Sequence, residues 1–476
     1  MPTPPADEPA GPGTGHHGEE LRATNLRTVV AITVLAAVVL WWVFLRDLGE
    51  DPAPSGAGAR AGERTPGAGD GRGGRAGSLT PSDVEGARVP PDLAAEFDAL
   101  LARRSAAVLD GDRDAFLADI DPSSTSLRVT QGGYFDNLRQ LPLDAFTYTL
   151  DRGSLVRADR GGYWVVVRLA QRLTGFDAVP AESVDRFRFV ERGAQNEVVL
   201  ASVTDPAWES AHSVISQPWE ERPIHVESTG SALVVTDDAT VRHAGRLARE
   251  VGLAAPDDGA RTPYGWDRRV VVFALSDVAF LEQLPGLPGG DPDRLDAVAF
   301  TVPGTDGTLA ATRVMIHPRV LAERAPARER LLRHELTHVA VGERDDRAPS
   351  WLAEGIAEWV SVQPLPSFAR PVSEPALSAA RRGVSGMPTA FHGGAEEVNY
   401  AIAWWAVEYI VRLLGDGAPW SLLDLLARSD GEDADQVVER TIGLSADQLA
   451  RRGARLLVET YDVTTPDVAV SPPVGG

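Results

Sequence analysis

The chain contains no cysteine and no lysine. Without thiols there is no disulfide, no Cys-ligated zinc or iron–sulfur cluster and no thiol nucleophile, so any metal chemistry falls to His, Asp and Glu. With lysine absent, the 46 basic residues are all Arg, set against 68 acidic residues for a formal charge of −22. That balance, with no clustering of Arg into a basic face, argues against a nucleic-acid partner. The arginine-only basic complement, with 46 Gly and 35 Pro, follows the composition of a GC-rich genome. Internal repeats are missing too. Hydrophobic residues at 43% and charged residues at 24% are ordinary globular values, which exclude a wholly disordered or polytopic membrane chain. The 476 residues leave room for two or three domains.

One long apolar run is present. Residues 28–45 (TVVAITVLAAVVLWWVFL) carry no charge, and 18 residues at about 1.5 Å rise approach the ~30 Å hydrocarbon core. The run predicts a transmembrane helix. Arg22 and Arg27 precede it and Arg46 follows, so the charge bias is slight and orientation rests on the shortness of the tail. Residues 1–27 are expected in the cytoplasm, with the rest of this single-pass protein extracytoplasmic at the cell membrane. The alternative is a cleavable signal peptide, whose apolar region is normally shorter, and Ala57-Gly58-Ala59 lies far downstream for a cleavage site. Residues 46–90 are rich in Gly, Ala, Pro, Arg and Ser without periodicity, a composition that cannot bury enough apolar surface to offset chain entropy. They read as a disordered tether, and residues 463–476 as a disordered tail.

Folded sequence resumes at residue 91. Leu93, Phe97, Leu100, Leu101 and Val108 recur at helical spacing up to a stop at Asp110-Gly111, and 112–120 suggests a second short helix. Strand-like segments follow at 146–150, 163–169, 184–190 and 198–203. Helices followed by an antiparallel sheet resemble the NTF2-like or cystatin-like group, so 91–220 is expected to be a small accessory α+β domain. It shows no catalytic set.

A second unit, 221–462, opens with strands at 224–229 and 232–235, a helix at 240–251 and an apolar strand at 269–275. Segments 297–302 and 312–316 flank Thr305-Asp306-Gly307, a hairpin signal. After Pro326 the pattern is mainly helical. Sheet first and helices second predicts an α+β domain.

The chemistry concentrates in that helical part. His334-Glu335-Leu336-Thr337-His338 is an HExxH string inside a helix expected to start at Pro326 and stop at Gly342. Residues four apart share a helix face, so two imidazoles converge on one point, a donor pair suited to Zn2+. Glu335, beside the first ligand, can take the proton of a water attacking a carbonyl. A catalytic zinc needs a third protein ligand. The next helix, with Ser350 as expected N-cap, carries Glu354 and Glu358 on one side between Trp351, Leu352, Ile356 and Trp359.

HELTH followed by WLAEGIAEW resembles the gluzincin metallopeptidases, most of all the bacterial peptidase MA-like group with its HExxH and WLxEGxA helices. That resemblance implies a zincin-like fold, a peptide or protein substrate, and zinc held by His334, His338 and Glu354. It also implies that Glu358, four positions beyond the ligand Glu, orients the first His, as a carboxylate on the second imidazole nitrogen does. Fifteen residues separate His338 from Glu354, fewer than in aminopeptidase-N-like members, and the GAMEN motif is absent. Family members often carry a Tyr on a following helix, which makes Tyr400 an expected oxyanion donor; a core tyrosine is the alternative. His392 in a Gly-flanked loop is a weaker one for the same task. His225, His243 and His317 lack partners at ligand spacing. A substrate strand is expected along 297–302 or 312–316 as exposed edges. The competing reading is a zincin scaffold that binds partners without cleaving them.

Overall fold

The computed structural model describes residues 86–462 apart from 160, 195–196, 286, 288–289, 392–393 and 430–431. Residues 28–45, and with them the predicted membrane span, lie outside the described residues, as does His392. Among the described residues no helix is long and apolar enough to cross a membrane.

The described chain is a mixed α+β structure. Helix α1 (Pro91–Asp110) buries Phe97, Leu100, Leu101 and Val108 and ends where Gly111 turns left-handed at φ 73°, its N–H returned to Ala107 and Val108 carbonyls. Asp112 caps α2 (Arg113–Ala118) by accepting from Ala115 N. The sequence reading missed α3 (Thr125–Leu138), whose Gly pair and weak periodicity conceal a helix held by tertiary packing. Strands β1 (Leu143–Leu150), β2 (Val156–Arg157), β3 (Tyr163–Leu173), β4 (Ala181–Arg192) and β5 (Glu197–Ser202) form an antiparallel sheet of order β1-β3-β4-β5, with β2 on β3. Phe97 stacks on Phe189 of β4 at 4.2 Å between ring centroids, joining helix to sheet.

Two short helices, α4 (Pro206–His212) and α5 (Pro218–Glu221), lead to a second sheet. It is built from β6 (His225–Ser228), β7 (Ala232–Thr236), β8 (Val270–Ala274), β9 (Ala297–Pro303) and β10 (Leu309–Ile316), with helix α6 (Ala244–Arg261) between β7 and β8 and α7 (Ala279–Gln283) after β8. The order is β6-β7-β8-β10-β9. β7, β8 and β10 run parallel, while β9 is antiparallel to β10. This corrects one expectation: β9 is an edge, but β10 is interior, because it pairs in parallel with β8 as well as in the hairpin. The other edge is β6.

Both faces of this sheet are covered, which is why its central strands are continuous apolar runs. Val234, Val270, Val272 and Val314 pack against Leu247 and Val251 of α6 and against Leu332 and Leu336 of the later helix Ala325–Val341. Leu233, Val235, Val271, Phe273 and Met315 share one hydrophobic cluster with Phe97, Phe146 and Phe189 of the first sheet and helix layer. The two sheets are thus parts of one core. Polar groups lock them as well: Arg313 Nη2 of β10 meets Asp177 Oδ1 at 3.0 Å with both side chains fully buried, and the Asn137 amide donates to the Trp219 and Arg222 carbonyls.

The remaining helices are α8 (Ala325–Val341), α9 (Ser350–Ser361), α10 (Glu374–Arg382), α11 (Glu396–Leu414), α12 (Ala418–Arg428), α13 (Ala434–Ile442) and α14 (Ala446–Asp462). They enclose their own core of Trp351, Ile356, Trp359, Trp404, Trp405 and Trp420. Pro349, not Ser350, occupies the N-cap of α9, and no side chain caps that helix. Gly355 lets α9 cross α11 closely, since a Cβ there would stand 2.7 Å from the Ala403 carbonyl oxygen.

Candidate metal centre

Helix α8 begins with Pro326 in its first turn and ends at Gly342, whose φ of 60° suits no other residue well. On it, His334 and His338 point the same way, with Nε2 atoms 3.2 Å apart. Helix α9 brings Glu354 to the same point: its Oε2 lies 3.2 Å from His334 Nε2 and 3.7 Å from His338 Nε2. Three donors at about 2.0–2.1 Å from a tetrahedral zinc would stand about 3.4 Å from one another, close to these separations. Glu354 Oε2 is buried without a partner in hydrogen-bond geometry, as a carboxylate oxygen reserved for a cation would be. The donor set fits zinc, and it is the group of His, Asp and Glu among the described residues whose atoms converge within metal-binding reach.

Each imidazole is held from behind. His334 Nδ1 faces Glu358 Oε1 at 3.1 Å, and His338 Nδ1 faces Asp345 Oδ2 at 2.8 Å. Asp345 was not anticipated. It sits in the 3-10 turn Gly342–Arg347 that follows the Gly342 break, where Glu343, Asp345 and Asp346 compete and spacing alone does not choose. Arg330 was also missed; its guanidinium grips the second oxygen of Glu358 and lies over the Trp404 ring. A signal existed, because Arg330 precedes His334 by four and shares its helix face.

These contacts set the charges. Burial pushes the Glu358 carboxyl up, but Arg330 and His334 outweigh it and hold it at about 2. Burial likewise opposes ionisation of Glu354, and the two imidazoles hold it well below the carboxylate range. Without metal, His334 is lowered by burial yet raised more by Glu354 and Glu358, to about 9. Glu335, 5% exposed, is raised by burial against the pull of the two histidines, with the backbone of Ala299 on β9 close by. A raised carboxyl beside the ligands is the property a general base needs.

Tyr400, on the first turns of α11, has its ring 6.1 Å from that of His334 and 5.2 Å from that of Phe391. Burial, with Glu354 and Glu358 nearby, pushes its hydroxyl far above the usual phenol range, so it stays a proton donor. The structure therefore gathers His334, Glu335, His338, Glu354, Glu358 and Tyr400 in one place. His225 bonds Asp238, His243 contacts Arg246, and His317 faces Asp293; none of the three is part of this group.

No family model and no curated protein matches the sequence. Among solved structures, the chain is similar to the native LTA4 hydrolase of yeast at 10% identity and a TM-score of 0.28, over 60% of this chain and 45% of that one. It spans less than half the length of that protein, and so slight a likeness establishes no shared fold.

Proposed function

We propose that the protein is a zinc metallopeptidase of gluzincin type, with a zincin-like catalytic part, an NTF2-like or cystatin-like accessory layer, and the apolar run 28–45 as its membrane anchor, the catalytic part lying outside the cytoplasm. The observation that carries this reading is the meeting of His334 Nε2, His338 Nε2 and Glu354 Oε2 beside a buried, proton-hungry Glu335.

Zinc bound there supplies a Lewis acid that polarises a carbonyl and acidifies water. The chain's own groups do the rest. Glu335 accepts the proton of the attacking water and returns it to the leaving amine. Tyr400 donates a hydrogen bond to the developing oxyanion. Glu358 and Asp345 fix the imidazole tautomers so that both Nε2 lone pairs face inward. The Ala299 backbone lies close to Glu335, so the free edge of β9 runs beside the reacting centre, where an extended peptide can add as a further strand.

Mass-spectrometric profiling of peptide mixtures with the wild type beside Glu335→Gln tests the reading. Cleavages are expected with the wild type alone, while both forms hold zinc. Equal cleavage by the two removes Glu335 as base.

A further inference from the structure

The approach to the edge strand β9 and the start of helix α11, which the peptidase reading places on either side of the substrate, are tied by an ion pair. Arg294 directs Nε and Nη2 at a single oxygen of Glu396, Oε1, at 3.3 and 2.8 Å. Arg294 stands three residues before β9; Glu396 opens α11, one turn before Tyr400. Since β9 packs on α8 with the Ala299 backbone near Glu335, and Tyr400 lies against His334, each element carries a marker of the catalytic level. Along the sequence Arg294 lies five residues before Ala299 and Glu396 four before Tyr400.

The turn that carries Arg294 is fixed. Asp291 caps it by accepting from Asp293 N, Arg319 Nε binds Asp296 Oδ1 at 2.8 Å, and the Arg319 guanidinium also binds the Asp293 carbonyl. Glu396 is held in a regular helix.

We infer that the Arg294–Glu396 pair closes the cleft beyond the start of β9 and confines cleavage to the neighbourhood of a chain end, the terminal carboxylate of the substrate being met by Arg294. This rests on the peptidase reading above. From Ala299 to the first residue of β9 is two residues, about 7 Å of extended chain at ~3.3 Å each, so a fragment of about two or three residues fits before this strap. Arg294 is 44% exposed and Glu396 17%, which leaves the cation as the accessible member. Its guanidinium has N–H groups beyond the two spent on Glu396, and a carboxylate is their natural partner.

The test uses the full chain and N-acetylated twelve-residue peptides carrying either a free or an amidated C-terminus, with products identified by mass spectrometry. The wild type is expected to release C-terminal di- and tripeptides, with kcat/KM at least ~10-fold higher on the free acids. Arg294→Ala should erase that preference, and Glu396→Gln, which loosens the strap but keeps the cation, should admit cuts in the middle of amidated peptides. Zinc content and melting temperature serve as folding controls for both. Internal cleavage of amidated peptides by the wild type at the free-acid rate overturns the strap while leaving the peptidase reading intact. So does N-terminal trimming of unblocked peptides with the C-terminal ends untouched. Zinc-loaded wild type that hydrolyses nothing overturns the peptidase reading itself, and the strap with it.

Discussion

Asp345 Oδ2 lies 2.8 Å from His338 Nδ1 in a hydrogen bond, and Glu358 Oε1 approaches His334 Nδ1 to 3.1 Å. The two carboxylates reach their imidazoles from different elements: Glu358 from within α9, Asp345 from the turn just past Gly342. Arg344 of that turn meets Asp424 of α12 at 2.9 Å, so the C-terminal helices brace one side of the candidate metal centre. Asp345→Asn and Glu358→Gln are each expected to weaken zinc about 10- to 100-fold, read by competition with a chelator of known affinity. Unchanged affinity in both variants would remove the bracing role.

Tyr400→Phe keeps the ring that packs on Phe391 and removes only the hydroxyl. The expected outcome is normal zinc content, little change in KM and a fall in kcat of roughly 10²–10³. Normal turnover would leave Tyr400 a packing residue.

Asp258 of α6 is wholly buried, accepts from Thr337 Oγ1 at 3.1 Å and leaves its other oxygen unpartnered. Burial raises its carboxyl from 3.8 to about 7, against the Thr337 hydrogen bond. A folded-state value above the unfolded one means stability is fully present below about pH 4 and is lost as pH rises through about 7. Asp258→Asn removes that loss. The unmet amide donors cost about 1–3 kcal/mol at every pH, so the variant is expected to be less stable than wild type by about that amount at pH 4 and more stable by about 1–3 kcal/mol at pH 8. Denaturant titrations across that range check it; parallel profiles would contradict it.

The accessory layer is expected to be indispensable. Arg313 and Asp177 are 1% and 0% exposed, and deleting one partner of a buried pair costs about 3–5 kcal/mol. Arg313→Ala should unfold at lower denaturant by that amount. A fragment starting at residue 221 should fail to fold, because it would expose Leu233, Val235, Val271 and Phe273 to water. A stable, cooperatively melting fragment would show the second sheet to be self-sufficient.

Much of this was legible in the chain. HExxH at helical spacing placed His334 and His338 on one face; the next helix offered two acidic residues, Glu354 and Glu358, and only the resemblance to the gluzincins singled out Glu354 as the third ligand. Local signals also found α1, with its Gly111 stop, and the β9–β10 hairpin. What escaped depends on long-range pairing. β10 looked like an edge because nothing local tells a hairpin strand that it also has a parallel neighbour, here β8, whose Val272 pairs with Val314. The shared core was hidden because apolar runs show that both faces of a strand are covered but not by what. Asp345 was lost among three acidic residues in six, and only the path of the turn selects it.

The central claim is that His334, His338 and Glu354 hold a zinc ion that serves hydrolysis with Glu335 as base. The most direct measurement strips metal from the full chain and returns zinc in steps while peptide hydrolysis and bound zinc are followed together. Hydrolysis should vanish on stripping and return in proportion to zinc, saturating at about one ion per chain; Glu335→Gln should bind the same ion and remain inactive, and His334→Ala should bind none. Hydrolysis that survives metal removal, or a Glu335→Gln enzyme as fast as the wild type, would contradict the account.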